Sequence, residues 1–345
     1  MTAKPRQTIQ LRDYILTQVD AHPTDIARLA AEHFGVSRQA VVKQLNSLVA
    51  QGFLVGSGAT KGKRYGLAWL VEKAFVHPIT ADLQEDTVWR TDIRRELEGV
   101  KENVVEICQY GFTEVFNNAI EHSQSAEVAT SVRRNAVIIS LSVSDSGVGI
   151  FNKIQHDLHL SDPHHALLEL TKGKLTTDPR RHTGEGLFFT SRMFDSFSIM
   201  SGDLYFSATL DEGQWRIKTE SRDAVTGTSV ELRIRTDSKR TLGEIFAKYS
   251  GKPNFDFSRT DFPVKLALYG DELLVSRSQA RRVLARFEEF REVVLDFSGV
   301  ATIGHSFADE IFRVFKTEHP EVNIIAINAT DDVRGVINKV TANVT

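Results

Sequence analysis

A single cysteine, Cys108, stands in 345 residues, so no internal disulfide can form and the chain fits a reducing, cytoplasmic compartment. Its place on the apolar side of a helical pattern points to core packing rather than reactivity. No apolar run approaches the ~18 residues of a membrane span, so neither a transmembrane helix nor a membrane partner is expected. Residues 1–6 contain no apolar core of a signal peptide. The net charge of -3 is too close to balance to mark the whole chain as a nucleic-acid binder. What is present, 41% hydrophobic and 25% charged residues, is the composition of globular domains, and the length suggests two or three of them.

The chain is organised around Glu114-Val115-Phe116-Asn117-Asn118-Ala119-Ile120-Glu121-His122. A helical pattern spans about 102–123, with Ile107, Tyr110, Phe112, Val115 and Ala119 as its apolar stripe. Glu114 and Asn118 are four apart and share one face. A carboxylate and an amide oxygen that close can hold a hard cation and polarise a hydroxyl or water. The alternative is an amphipathic surface helix with two polar residues.

Three further stretches come in order. Residues 137–143 read as a strand that runs into Ser144-Asp145-Ser146-Gly147-Val148-Gly149, where glycines allow close backbone approach and Asp145 is an acceptor at the strand's exit. His182-Thr183-Gly184-Glu185-Gly186-Leu187 opens a second amphipathic helix, whose N-terminus is an anion site. Thr226-Gly227-Thr228 enters another strand.

That order resembles the GHKL ATP-binding fold shared by gyrases, heat-shock chaperones, mismatch-repair ATPases and histidine kinases. Glu114 and Asn118-Ala119 look like its N box, Asp145-x-Gly147-x-Gly149 its first glycine box, Gly184-x-Gly186-Leu187 its second and Gly227-Thr228 its closing box. The resemblance implies an α/β sandwich, a mixed sheet with helices on one face, that binds ATP and Mg2+. It implies Asn118 as the magnesium ligand, Glu114 as general base, Asp145 as acceptor from the adenine amino group and Thr228 beside the same base. Gly184 and Gly186 would present N–H groups to the phosphates. The wording Asn118-Ala119-Ile120-Glu121-His122 is most similar to the anti-sigma-factor serine kinases. The likeness covers roughly residues 80–237.

Before it, residues 1–68 read as three helices and a hairpin. Ile9, Leu11, Tyr14, Ile15 and Val19 make the first apolar face. Thr24 and Ser37 cap the next two helices, with Gly35 as the stop between them. The whole resembles a winged helix-turn-helix domain, taken as residues 1–76. It holds nine Lys and Arg against four Asp and Glu within 1–68, a local basic footprint in a mildly acidic chain. Arg38, Gln39 and Lys43 open the recognition helix, and Lys61, Lys63 and Arg64 sit on the wing, placed for a duplex DNA partner. The alternative is a winged helix used for protein contacts only.

Residues 69–101 read as a connection with a boundary near His77, so the ATP-binding domain is taken as 77–237. His77 precedes Pro78, which disfavours a helix there and leaves no phosphoacceptor histidine of the histidine-kinase kind. Residues 151–183 read as the family's ATP lid, with Lys174, Arg180 or Arg181 near the phosphates. Its histidines lack a recurring zinc-ligand spacing.

Residues 238–345 alternate strands with helices, a small α/β domain. Strands are expected at 262–268, 293–297 and 323–328, and helices at 278–290, 306–316 and 331–340. Leu295-Asp296-Phe297-Ser298-Gly299, continuing to Gly304-His305-Ser306-Phe307, resembles the STAS domain of anti-sigma-factor antagonists, where an Asp-Ser-Ser-Gly motif opens a helix and one serine is phosphorylated by a GHKL kinase. Here His305 takes the first serine's place and Ser306 the second, and both become candidate phosphoacceptors by resemblance. Ser306 as a plain helix N-cap is the competing reading.

Two function classes remain open. One is a transcriptional regulator whose Mg-ATP-binding domain switches or phosphorylates a STAS-like domain, which also docks protein partners. The other is a serine protein kinase of the anti-sigma type, or an ATPase, whose winged helix serves protein contacts only.

Overall fold

The computed structural model describes residues 5–59, 62–175, 184–211, 214–251, 256–268 and 273–342. Lys61, Arg180 and Arg181 lie outside them. Among the described residues no helix is long and apolar enough to cross a membrane.

At the N-terminus, α1 (Pro5–Gln18), α2 (Ile26–Phe34) and α3 (Arg38–Ala50) precede an antiparallel hairpin of β1 (Leu54–Ser57) and β2 (Arg64–Leu67). Thr24 is not the cap expected of it: Asp25 holds the N-cap of α2, without a side-chain cap bond, because the helix starts one residue later. The other local causes match the sequence. Gly35 takes the left-handed conformation (φ 62°) that ends α2, and the Ser37 hydroxyl accepts the Ala40 N–H at 3.2 Å to start α3. Ile15, Val19, Ile26, Ala30, Val41, Leu45 and Leu48 form the small core. Ile9 is 58% exposed and does not belong to the buried face expected of it. Val137, from the next domain, completes this core.

β3 (Val71–Pro78) pairs along its whole length with β4 (Glu127–Arg134), so the first junction lies at residues 68–70 rather than near His77. The strand is hard to read from the sequence because it is a sheet edge: Glu72, Lys73 and Ala74 are all exposed, and no clean alternation survives. A short helical passage, α4 (Glu85–Val88) with a π turn (Trp89–Ile93) and a 3-10 turn (Arg94–Leu97), leads to the long α5 (Glu102–His122). After β4 and β5 (Ile138–Asp145) come α6 (Ile150–Asp157), α7 (Pro163–Lys172) and α8 (Gly186–Met193), then the long ribbon of β6 (Ser196–Asp211) and β7 (Gln214–Arg235).

The sheet order is β3-β4-β5-β7-β6. Every pairing is antiparallel, which corrects the expectation of mixed strands: β4 and β5 each add beside the strand before, β6 enters at the far edge, and β7 returns in reverse between β5 and β6. The two faces differ chemically, as period-two alternation requires. One carries Val128, Val132, Leu141, Val143, Val230 and Leu232 under α5. The other carries hydroxyl pairs, Ser131 to Ser142 at 2.6 Å and Ser144 to Ser229 at 2.8 Å.

α9 (Leu242–Tyr249) is closed by a Thr241–Glu244 capping box and packs on α8. Phe246 meets Tyr110 of α5 and Phe189 of α8, so α9 packs on the helices of the five-stranded sheet. A two-residue ladder, β8 (Ser250–Gly251) with β9 (Asp256–Phe257), opens that domain. Its parallel sheet is β10 (Arg259–Pro263), β11 (Glu292–Asp296) and β12 (Asn323–Ile327), covered by α10 (Arg277–Leu284), α11 (His305–Asp309) and α13 (Asp331–Thr341). α11 continues through a π turn (Glu310–Phe315) into α12 (Lys316–Glu318). The first strand stops at Pro263 and gives way to a 3-10 turn (Val264–Ala267), and α10 ends at Leu284, both short of expectation. Gly304 precedes α11, so Ser306 stands inside the first turn and is not the cap. Both His305 and Ser306 are exposed, next to the N-terminal end of α10, where Gly304 N–H donates to Leu274 O at 2.7 Å.

Gly111 is where α5 crosses Phe194. A Cβ there would lie 2.3 Å from the Phe194 ring and 3.3 Å from Leu232 Cδ1. Gly111→Ala is therefore expected to destabilise the fold by about 1–3 kcal/mol from overpacking, less the helix-propensity gain of up to about 1 kcal/mol. Urea unfolding checks this, and an unchanged or raised midpoint contradicts the packing described.

Candidate nucleotide-binding site

α5 has two jobs, and helical periodicity separates them. Ile107 and Phe112 are buried in the core and Val115 and Ala119 are buried at its border with a cavity of about 380 Å3, while Tyr110, Glu114, Asn118 and His122, four apart in succession, carry the polar groups that line it. Across from them the sheet supplies the other wall. β5 and β7 pair Leu141 with Leu232, Val143 with Val230 and Asp145 with Thr228. Alternation therefore carries Asp145 and Thr228 onto the helix-covered side, at the end of the apolar run. Both line the cavity.

The Asp145 end is rigid. Its Oδ1 accepts the Gly147 N–H at 2.9 Å. Thr228 Oγ1 accepts the Ile150 N–H at 2.9 Å, which ties β7 to the start of α6. Gly227 sits at φ 79°, and a Cβ there would lie 2.1 Å from Asp145 O. Gly147 does not line the cavity; its missing side chain lets the loop close on the end of α5, since a Cβ would lie 1.9 Å from Ser123 O. Gly149 (φ 82°) does line it, against Ser201. Burial raises the Asp145 carboxyl above its ordinary range, offset in part by the Gly147 and Thr228 N–H groups.

At the other end stand Glu114, Asn118 and the start of α8. The Asn118 side-chain nitrogen donates to Glu114 O at 2.9 Å, which leaves Oδ1 as the acceptor atom. α8 begins at Gly186, so close to Glu114 that a Cβ would lie 1.8 Å from its Oε2. Gly184, Glu185, Gly186 and Leu187 all line the cavity. The N–H groups that a helix start presents and the helix dipole favour an anion. Among the described residues no group of three or more His, Cys, Asp or Glu can hold a metal. One amide oxygen beside an anion site suits a cation that takes most of its ligands from phosphate and water, as magnesium does. Bound there by Asn118, magnesium would neutralise phosphate charge.

Lys174 is not brought to this cavity. Its Nζ donates to Glu289 O at 2.8 Å and lies 4.9 Å from the Phe290 ring centroid, so it belongs to the C-terminal domain's surface. Within the expected lid stand α6 (Ile150–Asp157) and α7 (Pro163–Lys172), the latter buried from Ala166 onward; residues 176–183 of that stretch lie outside the described ones.

Four titratable cavity residues were missed from the sequence. Lys153 lies on α6, paired with Asp157 at 3.0 Å, and is a cation where Lys174 was expected to supply one. A helix started directly after Gly149 would have pointed to it. Tyr110 and His122 extend the Glu114–Asn118 row by one turn each way. Glu185 places a carboxylate in the second glycine box; with Glu114 it adds to burial in pushing the Tyr110 hydroxyl up.

Residues 79–205 match the family model of a histidine kinase-like ATPase domain, and residues 279–334 match that of a STAS-like domain of unknown function. The first span contains Glu114, Asn118, Asp145 and the Gly184–Leu187 turn and stops short of Thr228; neither reaches the N-terminal helices. No curated protein matches the chain. The chain thus carries a histidine kinase-like ATPase domain and a STAS-like domain, the equipment of an ATP-binding regulatory protein.

The sign of the pH dependence comes from Asp145. Only its ionised form accepts from a ligand amino group on both oxygens, and its raised range means that it takes up a proton earlier as pH falls. Nucleotide affinity is expected to decline on acidification with a midpoint above the ordinary ~3.9 of an aspartate. Calorimetric titrations across pH 4–7 test this; the same decline in Asp145→Asn would assign it to another group.

Proposed function

We propose that this chain is an ATP-switched, DNA-binding regulator. Mg-ATP occupies the cavity under α5, with adenine at Asp145 and Thr228 and phosphates at Glu114, Asn118 and the Gly184–Leu187 turn. One observation carries this reading: a single cavity of about 380 Å3 has a fixed acceptor at one end and a glycine-built helix start at the other. That volume falls within the ~300–1,000 Å3 of small-molecule sites. Gly186 lets the phosphates approach the N–H groups of α8. Asn118 would hold magnesium through Oδ1.

Calorimetry on the full chain tests it. Mg-ATP should bind, and Asn118→Ala or Asp145→Asn should weaken it at least tenfold, about 1.4 kcal/mol. Unchanged affinity in both folded variants sinks the assignment.

The duplex-DNA reading rests on the N-terminal surface. Arg38, Gln39 and Lys43 are all exposed along α3, and Arg64 is exposed on the hairpin. Lys63 Nζ reaches Asn46 of α3 at 3.2 Å, so hairpin and helix share one basic face. Base contacts would come from Arg38 and Gln39, phosphate contacts from Lys43, Lys63 and Arg64. Full-length protein should shift duplex DNA at low salt, with Lys63→Ala reducing the salt slope by about one phosphate. No shift at low salt makes this domain a protein-contact module.

A second reading is favoured by Glu114 lying beside the phosphate end. Glu114 takes the proton from an attacking hydroxyl as the γ-phosphoryl group leaves ADP, giving a serine kinase of the anti-sigma type, or an ATPase when water attacks. Ser306 and His305 are the candidate acceptors. They stand near the start of α10, whereas the carbonyls that meet Lys172 are at its other end, which favours transfer between two molecules over transfer within one. With γ-labelled ATP, Glu114→Ala should bind and transfer nothing. Label only in free phosphate identifies an ATPase.

A further inference from the structure

The wall of the cavity is also the wall of the STAS-like domain. On one side is α7. Leu170 lines the cavity, and two residues on, Lys172 is 0% exposed. Its Nζ donates to Glu169 Oε1 at 2.6 Å and to the carbonyls of Arg282 and Ala285, at the end of α10, at 3.0 and 2.9 Å. Thr260 Oγ1 of β10 donates to Lys172 O at 2.7 Å. Arg286 completes the joint: it pairs with Glu169 at 3.4 Å and donates to the carbonyls of Gly173 and Lys174. Arg286 holds a left-handed backbone (φ 65°), costly for a bulky residue unless its surroundings fix it.

On the other side is α8. Phe188 lines the cavity, and its ring stands 5.0 Å from Tyr249 and 4.8 Å from Phe257, which in turn meets Phe290 at 5.4 Å. Arg192 donates to Asp261 O of β10 at 3.1 Å. Buried charges and close-packed rings do not deform gradually; they hold one arrangement or lose it. The residues that line the cavity and those that grip the STAS-like domain are thus the same residue, Phe188, or lie within one turn of each other.

We propose that the STAS-like domain is the regulatory partner of the nucleotide cavity in the same chain. The grip of α7 and α8 on α10 and residues 286–290 differs between the occupied and the empty cavity. This rests on the reading of the cavity as an ATP site. Coupling is reciprocal: whatever changes the grip from the STAS-like side changes nucleotide affinity by the same factor. What carries the coupling is the equilibrium between the two grips, not a path of residues.

Full-length protein is tested with a non-hydrolysable ATP analogue and Mg2+, by calorimetry and by hydrogen exchange. Analogue binding should slow exchange at least fivefold in residues 281–292 as well as in α5 and β5. In Arg286→Met, analogue affinity should change at least fivefold and the protection of 281–292 should vanish, while α5 remains protected. Should Arg286→Met fail to fold, exchange in the wild-type chain decides alone. Binding with protection confined to the ATPase elements, and with Arg286→Met within twofold, overturns the coupling and leaves the ATP site standing. No binding by the wild-type chain overturns both.

Discussion

The cavity depends on one constraint: α5 must lie across β5 and β7 while keeping a row of polar side chains off the core. Twenty-one residues of helix allow this because the buried positions and the row Tyr110, Glu114, Asn118 and His122 fall on different sides of a 3.6-residue turn. Gly111 brings the helix down onto Phe194, and the register of β5 with β7 then sets Asp145 and Thr228 across from the row. Slip either strand by one residue and its side chain, Asp145 or Thr228, leaves the cavity for the serine-lined face.

From this comes the division of labour at the two ends. Asp145 is held by the Gly147 N–H and by closely packed glycines, so it is a fixed acceptor. The end proposed for the phosphates is built from a helix start, a carboxylate and an amide whose nitrogen is already committed to the backbone. A fixed acceptor discriminates between bases, whereas a helix start accepts any suitably placed anion.

How much of this could be read from the sequence varied with how local the cause was. Glycine turns, the caps Ser37 and Gly35, and the spacing of Glu114 to Asn118 are local, and the structure has them where the residues imply. The helix of Glu102–His122 and the α/β alternation of the C-terminal part were legible for the same reason. Edge strand β3 and the ribbon of β6 and β7 were not: an edge is half exposed, and β6 turns at Gly202 (φ 59°) with a register shift, so that Leu210 N–H returns to Asp195 O at 2.7 Å. Nor did α7 declare itself. Lys174 read as a phosphate-side cation, but a domain more than a hundred residues on engages it and buries Lys172 nearby. Tertiary partners of that kind leave no periodic signal.

The proposed orientation of the nucleotide turns on Asp145 reading the amino group of adenine. The most direct test is to titrate the full chain, by calorimetry at one pH and magnesium concentration, with ATP and with purine riboside triphosphate, which lacks only that amino group. A site built around a buried acceptor should reject the analogue by about tenfold or more. Equal affinities would mean that Asp145 does not contact the base, and that the nucleotide does not lie in the cavity with adenine at Asp145 and phosphates at α8.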